Sequence, residues 1–233
     1  ARRALRRLGA RRVATCEVPV VFDPVAAAAV LRHLSEAVSG TALLRKASFL
    51  MDKLGKQVAS RPVTILDDAL LPFGLATRPF DAEGIPSQST TVIRDGVLES
   101  FLLDTYSGRK LRLHSTANSN RELHGTHSSG PSNFYLVPGN VAPEEIISSV
   151  KGGLYVTELI GFGVNIVSGD FSQGAAGLWI ENGRLAFPVE EITVAGNLKD
   201  MLTGIEAVGN DLLVLAEIFA PTFMIGRMVV SGK

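Results

Sequence analysis

Residues 152–211 read GGLYVTELIGFGVNIVSGDFSQGAAGLWIENGRLAFPVEEITVAGNLKDMLTGIEAVGND, and this stretch decides the fold. Apolar and polar residues alternate in short pieces, and Gly-Phe-Gly, Ser-Gly-Asp, Glu-Asn-Gly and Ala-Gly-Asn separate them. That is the pattern of antiparallel strands joined by tight turns. Asn182-Gly183 predicts a two-residue type I′ hairpin, because both central residues of that turn need positive φ. Asn197 is placed to cap a helix in which Met201, Leu202, Ile205 and Val208 repeat at helical spacing.

Outward from this block, a short apolar strand is predicted over 18–22. A helix over 25–39 follows, with Asp23 as N-cap, Pro24 in its first turn, Val30, Leu34 and Val38 facing the core and Gly40 as its stop. Residues 41–60 have mixed periodicity that suggests partial helix. Strands follow over 62–68, 89–94 and 97–103, the last two joined by Asp95-Gly96 as a second type I′ turn. Asp104 caps a short helix to Leu111, and Pro143 opens another with Glu144 and Glu145 in its first turn, where the helix dipole favours negative charge. Final strands are predicted over 134–137, 213–219 and 223–230. The fold class is α+β, a mainly antiparallel, barrel-like or sandwiched sheet with a few peripheral helices.

The chain has 233 residues, 46% of them hydrophobic, enough for a substantial core. Charge or glycine interrupts every apolar run before the roughly 18–20 residues that a membrane helix needs. Cys16 is the single cysteine, so an internal disulfide is impossible, and a cytoplasmic setting is expected. Six arginines fall in the first twelve residues; apart from them, 17 basic residues stand against 23 acidic ones. The basic start suits an exposed amphipathic helix carrying Ala4, Leu5 and Leu8 better than a nucleic-acid arm, so nucleic acid is not expected as a partner.

Candidate chemistry is sparse. His114, His124 and His127 lie in the polar segment 114–133, and His124 and His127 make an H-x-x-H spacing, but only Glu122 joins them as an acidic neighbour. Ser115, Ser128 and Ser129 stand beside these histidines without a nucleophile-elbow pattern. The acidic pairs Asp67-Asp68, Asp81/Glu83 and Glu190-Glu191 read as surface or turn residues, and Gly161-Phe162-Gly163 as a bulge or turn. His33 lies mid-helix with Glu36 one turn on, a half-buried imidazole on a face of small residues, with Glu36 expected to pair with Arg32 or His33.

Several long motifs in one order resemble the TldD/PmbA family, once described as modulators of DNA gyrase, and are most similar to its PmbA (TldE) side. They are SFLMDKLGKQVAS at 48–60, DAEGIPSQSTTVIRDGVLESFLLDTYSGRKL at 81–111, NFYLVPGN at 133–140, SGDFSQGAAGLWIENG at 168–183, ITVAGNLKDML at 192–202 and VGNDL at 208–212. The resemblance implies that residues 1–17 are the remnant of an upstream N-terminal domain and that 18–233 form the C-terminal domain.

It further implies a two-subunit cytoplasmic zinc peptidase, acting on peptides or unfolded segments in peptide maturation and proteolysis. The TldD-type subunit carries zinc on an H-E-x-x-x-H helix with a cysteine from its C-terminal part. On that motif this chain has His33, then Leu34 where the glutamate belongs and Val38 where the second histidine belongs, and residues 214–233 contain no cysteine.

The expectation is a non-catalytic, metal-free subunit with no catalytic, cofactor-binding or metal-ligating residue of its own. Its expected partners are a zinc-bearing TldD-type subunit, or a second copy as a homodimer, and an extended peptide. A stand-alone hydrolase using the His114 to His127 segment, or an interaction protein acting on gyrase, is the alternative.

Overall fold

A computed structural model describes residues 5–121 and 125–232. Thirteen strands and five helices among these residues form a closed barrel, a second sheet and a small hairpin. The barrel consists of β1 (Cys16–Phe22), β8 (Gly152–Ile160), β9 (Asp170–Glu181), β10 (Arg184–Asn197) and β13 (Phe223–Ser231), hydrogen-bonded in that order, with β13 returning to β1. Closure runs antiparallel from Cys16 opposite Val230 to Phe22 opposite Phe223, with a bulge between Val18 and Val20. The Phe22 and Phe223 rings lie 5.1 Å apart at its end. Only β1 and β8 pair in parallel within the ring. Closing the ring removes the open edges that an isolated sheet would present.

The turn chemistry behaves as the residues demand. Asn182 and Gly183 have φ of 49° and 76°, and Asp95 and Gly96 have 48° and 83°, so both hairpins turn through two left-handed residues. The second sheet has the order β12 (Ile218–Phe219), β7 (Phe134–Leu136), β2 (Ile65–Asp68), β3 (Ser89–Arg94) and β4 (Val97–Leu98). A two-stranded hairpin pairs β5 (Ser119–Arg121) with β6 (His127–Ser129). β11 (Ile205–Val208) extends the barrel sheet beside β13.

Helix α1 (Pro24–Ala37) packs against β1 and β8 of the barrel and against β7 and β12 of the second sheet. Asp23 caps it by accepting from the Val25 and Ala26 amides. Its face of Ala26, Ala27, Val30, Leu31, Leu34 and Ala37 enters the main core together with Val20, Phe22, Ile65, Phe134 and Phe223. Val21, pointing the other way on β1, packs in a second cluster with Ile146 and Val150 under α4 (Pro143–Ser149).

Several local expectations give way to tertiary contacts. Gly40 opens a helix instead of ending one: α2 (Gly40–Leu44) is capped by Ser39, and Gly40 lies against Ser107 of α3 (Thr105–Leu111) where no Cβ would fit. The rest of 41–60 is turns and irregular backbone, with Gln57 bridged to Val97. Residues 62–68 are extended as strand only over β2, and 97–103 only over β4, because Leu102 leaves the sheet to exchange backbone bonds with Val38 and Gly40.

Helix α5 (Leu198–Thr203) stops before Ile205, and Ile205 and Val208 pair with Ile225 and Phe223 of β13. Their spacing fits a helix equally well, and the sheet edge takes them. Of 213–219 only Ile218 and Phe219 form a strand, and Phe219 stacks on Tyr135 at 5.0 Å. The segment 114–133 is not one open loop, since β5 and β6 fold within it. In the arginine-rich start, residues 1–4, Ala4 among them, lie outside the described residues; Leu5 is helical, residues 6–9 are turn, and Leu5 and Leu8 are exposed.

Candidate functional site

His33 sits on α1, half-buried, with its ring edge-on to Phe171 of β9 at 6.5 Å and 78°. Burial holds the imidazole below the ordinary histidine range; Glu36 pulls it up and Arg32 pushes it down. Arg32 pairs not with Glu36 but with Glu217, at 3.3 Å. One residue on from His33, Leu34 is 2% exposed, and one turn further Val38 is fully buried; both belong to the main core. The helix therefore turns these two positions inward, between the barrel and the second sheet.

Zinc held as the resemblance implies needs three or four donors and a carboxylate to take a proton from bound water. This helix supplies one imidazole and two buried hydrocarbon side chains, and the residues do not fit the ion. Among the described residues no group of three His, Cys, Asp or Glu side chains is arranged to hold a metal. Cys16 is on β1, where burial pushes its thiol up.

Of the histidines in segment 114–133 only His114 and His127 are among the described residues, and His114 is exposed. His124 and Glu122 lie outside the described residues, so the H-x-x-H pair falls there too. His127 is exposed on β6, and its Nδ1 meets Ser119 Oγ at 3.3 Å. That Ser/His contact is not a nucleophile poised for substrate, because Ser119 is fully buried. Ser129 Oγ is engaged by the Thr41 amide and hydroxyl, and Ser115 Oγ donates to the Leu103 carbonyl.

Described residues of the polar segment form a buried network with two acidic pairs: Asp67 departs from the expected surface or turn role, whereas Asp81 does sit in a turn, its carbonyl accepting from the Gly84 amide at 3.0 Å. Asp67 is 1% exposed and Asp81 3%, so neither is a surface residue. Asp67 accepts from Asn118 Nδ2 at 2.6 Å and from the Ser132 amide and hydroxyl at 2.7 and 2.9 Å. Asp81 accepts from the Glu83, Ile85 and Ser119 amides. Asn133, fully buried, holds the segment after β2 by bonding the Asp68 carbonyl, the Thr77 hydroxyl and the Ala76 amide.

Burial drives the Asp67 carboxyl above the usual carboxylate range, opposed by the Asn118 and Ser132 donors and the Arg78 charge. One signal in the sequence pointed to this role: in ILDD the alternation places Asp67 on the same side as buried Ile65. The segment after β2 that this network anchors nevertheless presents Leu70, Phe73, Leu75 and Phe80 to solvent.

The described part of the arginine-rich start lies on the barrel wall. Arg7 pairs with Glu158 at 2.7 Å, Arg12 with Glu191, and the Arg11 guanidinium stacks 3.7 Å over the Phe187 ring while its amide bonds the Pro188 carbonyl. Three cations that a nucleic-acid arm would offer to phosphate are thereby occupied. Glu191 serves as an ion-pair partner and sits at the bulge of β10 with φ of 53°, while Gly161 takes φ of 97° in the turn after β8, as a glycine there should. No helix of the described residues is long and apolar enough to cross a membrane.

Known proteins match this architecture. The family profile described as PmbA/TldA metallopeptidase C-terminal domain covers residues 15–232. Metalloprotease PmbA of Escherichia coli O157:H7 is 40% identical over 233 residues, all of this chain and 50% of that protein. A crystal structure from Thermotoga maritima, of a proposed modulator of a DNA gyrase, superposes with a TM-score of 0.91 at 33% identity over 99% of this chain and 53% of the other. The crystal structure of TldE from Thermococcus kodakarensis shares the fold, with a TM-score of 0.90 at 24% identity over 99% of this chain and 54% of the other. The chain thus spans about half the length of the curated relatives that it matches. By its fold and by the profile that covers nearly all of it, the chain belongs to the PmbA/TldD metallopeptidase family.

Proposed function

We propose that this chain is the C-terminal domain of a non-catalytic, metal-free subunit in a TldD/TldE-type zinc metallopeptidase complex. Membership in the family gives it a peptidase-related role. The observation that carries the finer reading is the inward turn of α1: Leu34 and Val38 occupy the positions of the glutamate and second histidine, and both are buried in the core. A lone His33 gives an ion one ligand and gives its water no base. The partner in this reading is a TldD-type subunit that holds zinc and cleaves, while this subunit shapes the shared chamber and helps hold an extended peptide. The likeness to TldE in fold supports that pairing.

The test uses the full-length protein, purified with and without a TldD-type subunit, with zinc measured per chain and peptide cleavage followed in each preparation. The reading expects co-elution of the two subunits and cleavage only when the zinc-bearing one is present. Stoichiometric zinc together with cleavage by this protein alone overturns it.

A further inference from the structure

We infer that the cleft between α2, α3 and β6 is a binding site for the carboxylate groups of an acidic peptide. The cleft has a volume of about 490 Å³ and is lined by Thr41, Leu44, Arg45, Tyr106, Lys110 and His127. Its walls are fixed before any ligand arrives. Thr41 and Ser129 tie α2 to β6 through three hydrogen bonds of 2.8, 3.2 and 3.3 Å, and Gly40 lets α2 press against Ser107 of α3. Such preorganisation lowers the cost of ordering a bound partner.

The charge in the cleft is one-sided. Arg45 and Lys110 are exposed, and neither forms an ion pair among the described residues. Among the described residues Asp104 is the acid at the cleft, but it is 6% exposed and its carboxylate is engaged as the α3 cap by the Ser107 amide and hydroxyl. It offers an incoming anion little repulsion.

The recognition chemistry favours carboxylate on a peptide. A guanidinium matches a carboxylate with two parallel hydrogen bonds, and a lysine adds a point charge beside it. Tyr106 is 61% exposed with Lys110 Nζ 5.7 Å from its ring centre, so the ring supplies a flat wall for the aliphatic part of a side chain. Nucleic acid would require a longer stripe of cations than one cleft provides, and the chain as a whole is neutral. The choice of a peptide as carrier rests on the peptide-handling role proposed above.

The experiment is fluorescence anisotropy on the purified full-length protein with a labelled glutamate-rich hexapeptide, its glutamine counterpart and a single-stranded oligonucleotide. The glutamate peptide should bind about tenfold tighter than the glutamine one, and the Arg45→Gln/Lys110→Gln variant should remove that difference. Arg94→Gln, on the exposed end of β3, should leave it intact. Both substituted residues are exposed, and circular dichroism confirms folding. Equal binding of the two peptides, unchanged discrimination in the double variant, or tighter binding of the oligonucleotide overturns the proposal. Co-elution with a TldD-type subunit is read on the unsubstituted protein: co-elution without peptide discrimination sinks the cleft alone, whereas loss of co-elution sinks the subunit reading.

Discussion

Asn118 donates its side-chain amide to the Asp67 carboxylate at 2.6 Å, joining the polar segment before β5 to the middle of β2 across 51 positions of sequence. A buried acceptor stripped of a donor pays its desolvation cost in full. Asn118→Ala should therefore lower unfolding free energy by about 1–3 kcal/mol, as read by urea denaturation. A loss near zero would mean that Ser132 alone satisfies the carboxylate.

Asp67 also makes stability depend on pH. Burial raises its carboxyl above 3.8 in the folded chain, so between 3.8 and the raised value the native state binds more protons than the unfolded one. Stability falls as pH rises through that window. Relative to Asp67→Asn, which does not titrate, the natural protein should be most stable below 3.8 and lose ground as pH climbs through the raised value. Urea midpoints of the two proteins across a pH series check this, and a difference moving the other way would place the folded carboxyl below its ordinary range.

His33 should titrate below 6.5, since burial in the folded chain disfavours its cation. Its stabilising contribution is present above 6.5, where folded and unfolded imidazoles are both neutral, and is lost as pH falls through the folded value. Glu36→Gln should move the midpoint further down and Arg32→Gln should move it up, because the two charges act in opposite directions. Proton NMR of the ring resolves all three midpoints.

Placing zinc-ligand side chains at Leu34 and Val38 should not create a site. Leu34→Glu with Val38→His places a carboxylate and an imidazole where the core admits 2% and 0% exposure. The expected result is a loss of at least about 3 kcal/mol with no zinc retained through dialysis, since a buried charge without a partner costs that much. Thermal unfolding and metal content of the double variant measure both. Full stability with one zinc per chain would show that this helix can turn outward.

Gly96→Ala should cost more than Gly84→Ala although both glycines have φ near 80°. At Gly84 nothing lies within 4 Å of an added Cβ, and only the left-handed backbone is strained, by about 1 kcal/mol. At Gly96 the Cβ would collide with the Ala59 carbonyl and the Gln57 amide, which the turn uses to hold the Val58 and Ala59 amides on the Gly96 carbonyl. Chemical denaturation of the two variants ranks them.

The sequence by itself determined the features whose partners lie a few residues away. The Asp95-Gly96 and Asn182-Gly183 turns, the caps at Asp23, Asp104 and Asn197, and the strand character of β8, β9 and β10 all form where the residues predict them. That Leu34 and Val38 are hydrocarbon side chains unable to ligate a metal is likewise legible from the letters alone. Tertiary structure decided the rest. Ile205 and Val208 fit a helical period, yet the unsatisfied edge of β13 draws them into a strand; Gly40 looks like a helix stop, yet Ser107 packs against it to begin another; Asp67 looks like a turn acid, yet three donors from the 118–132 region make its burial tolerable. Closure of the barrel between Cys16–Phe22 and Phe223–Ser231 belongs with these. Local turns and caps are settled by hydrogen bonds within one or two turns of chain, whereas burial and edge pairing depend on groups more than a hundred residues apart in some cases, and no short window of sequence contains both partners.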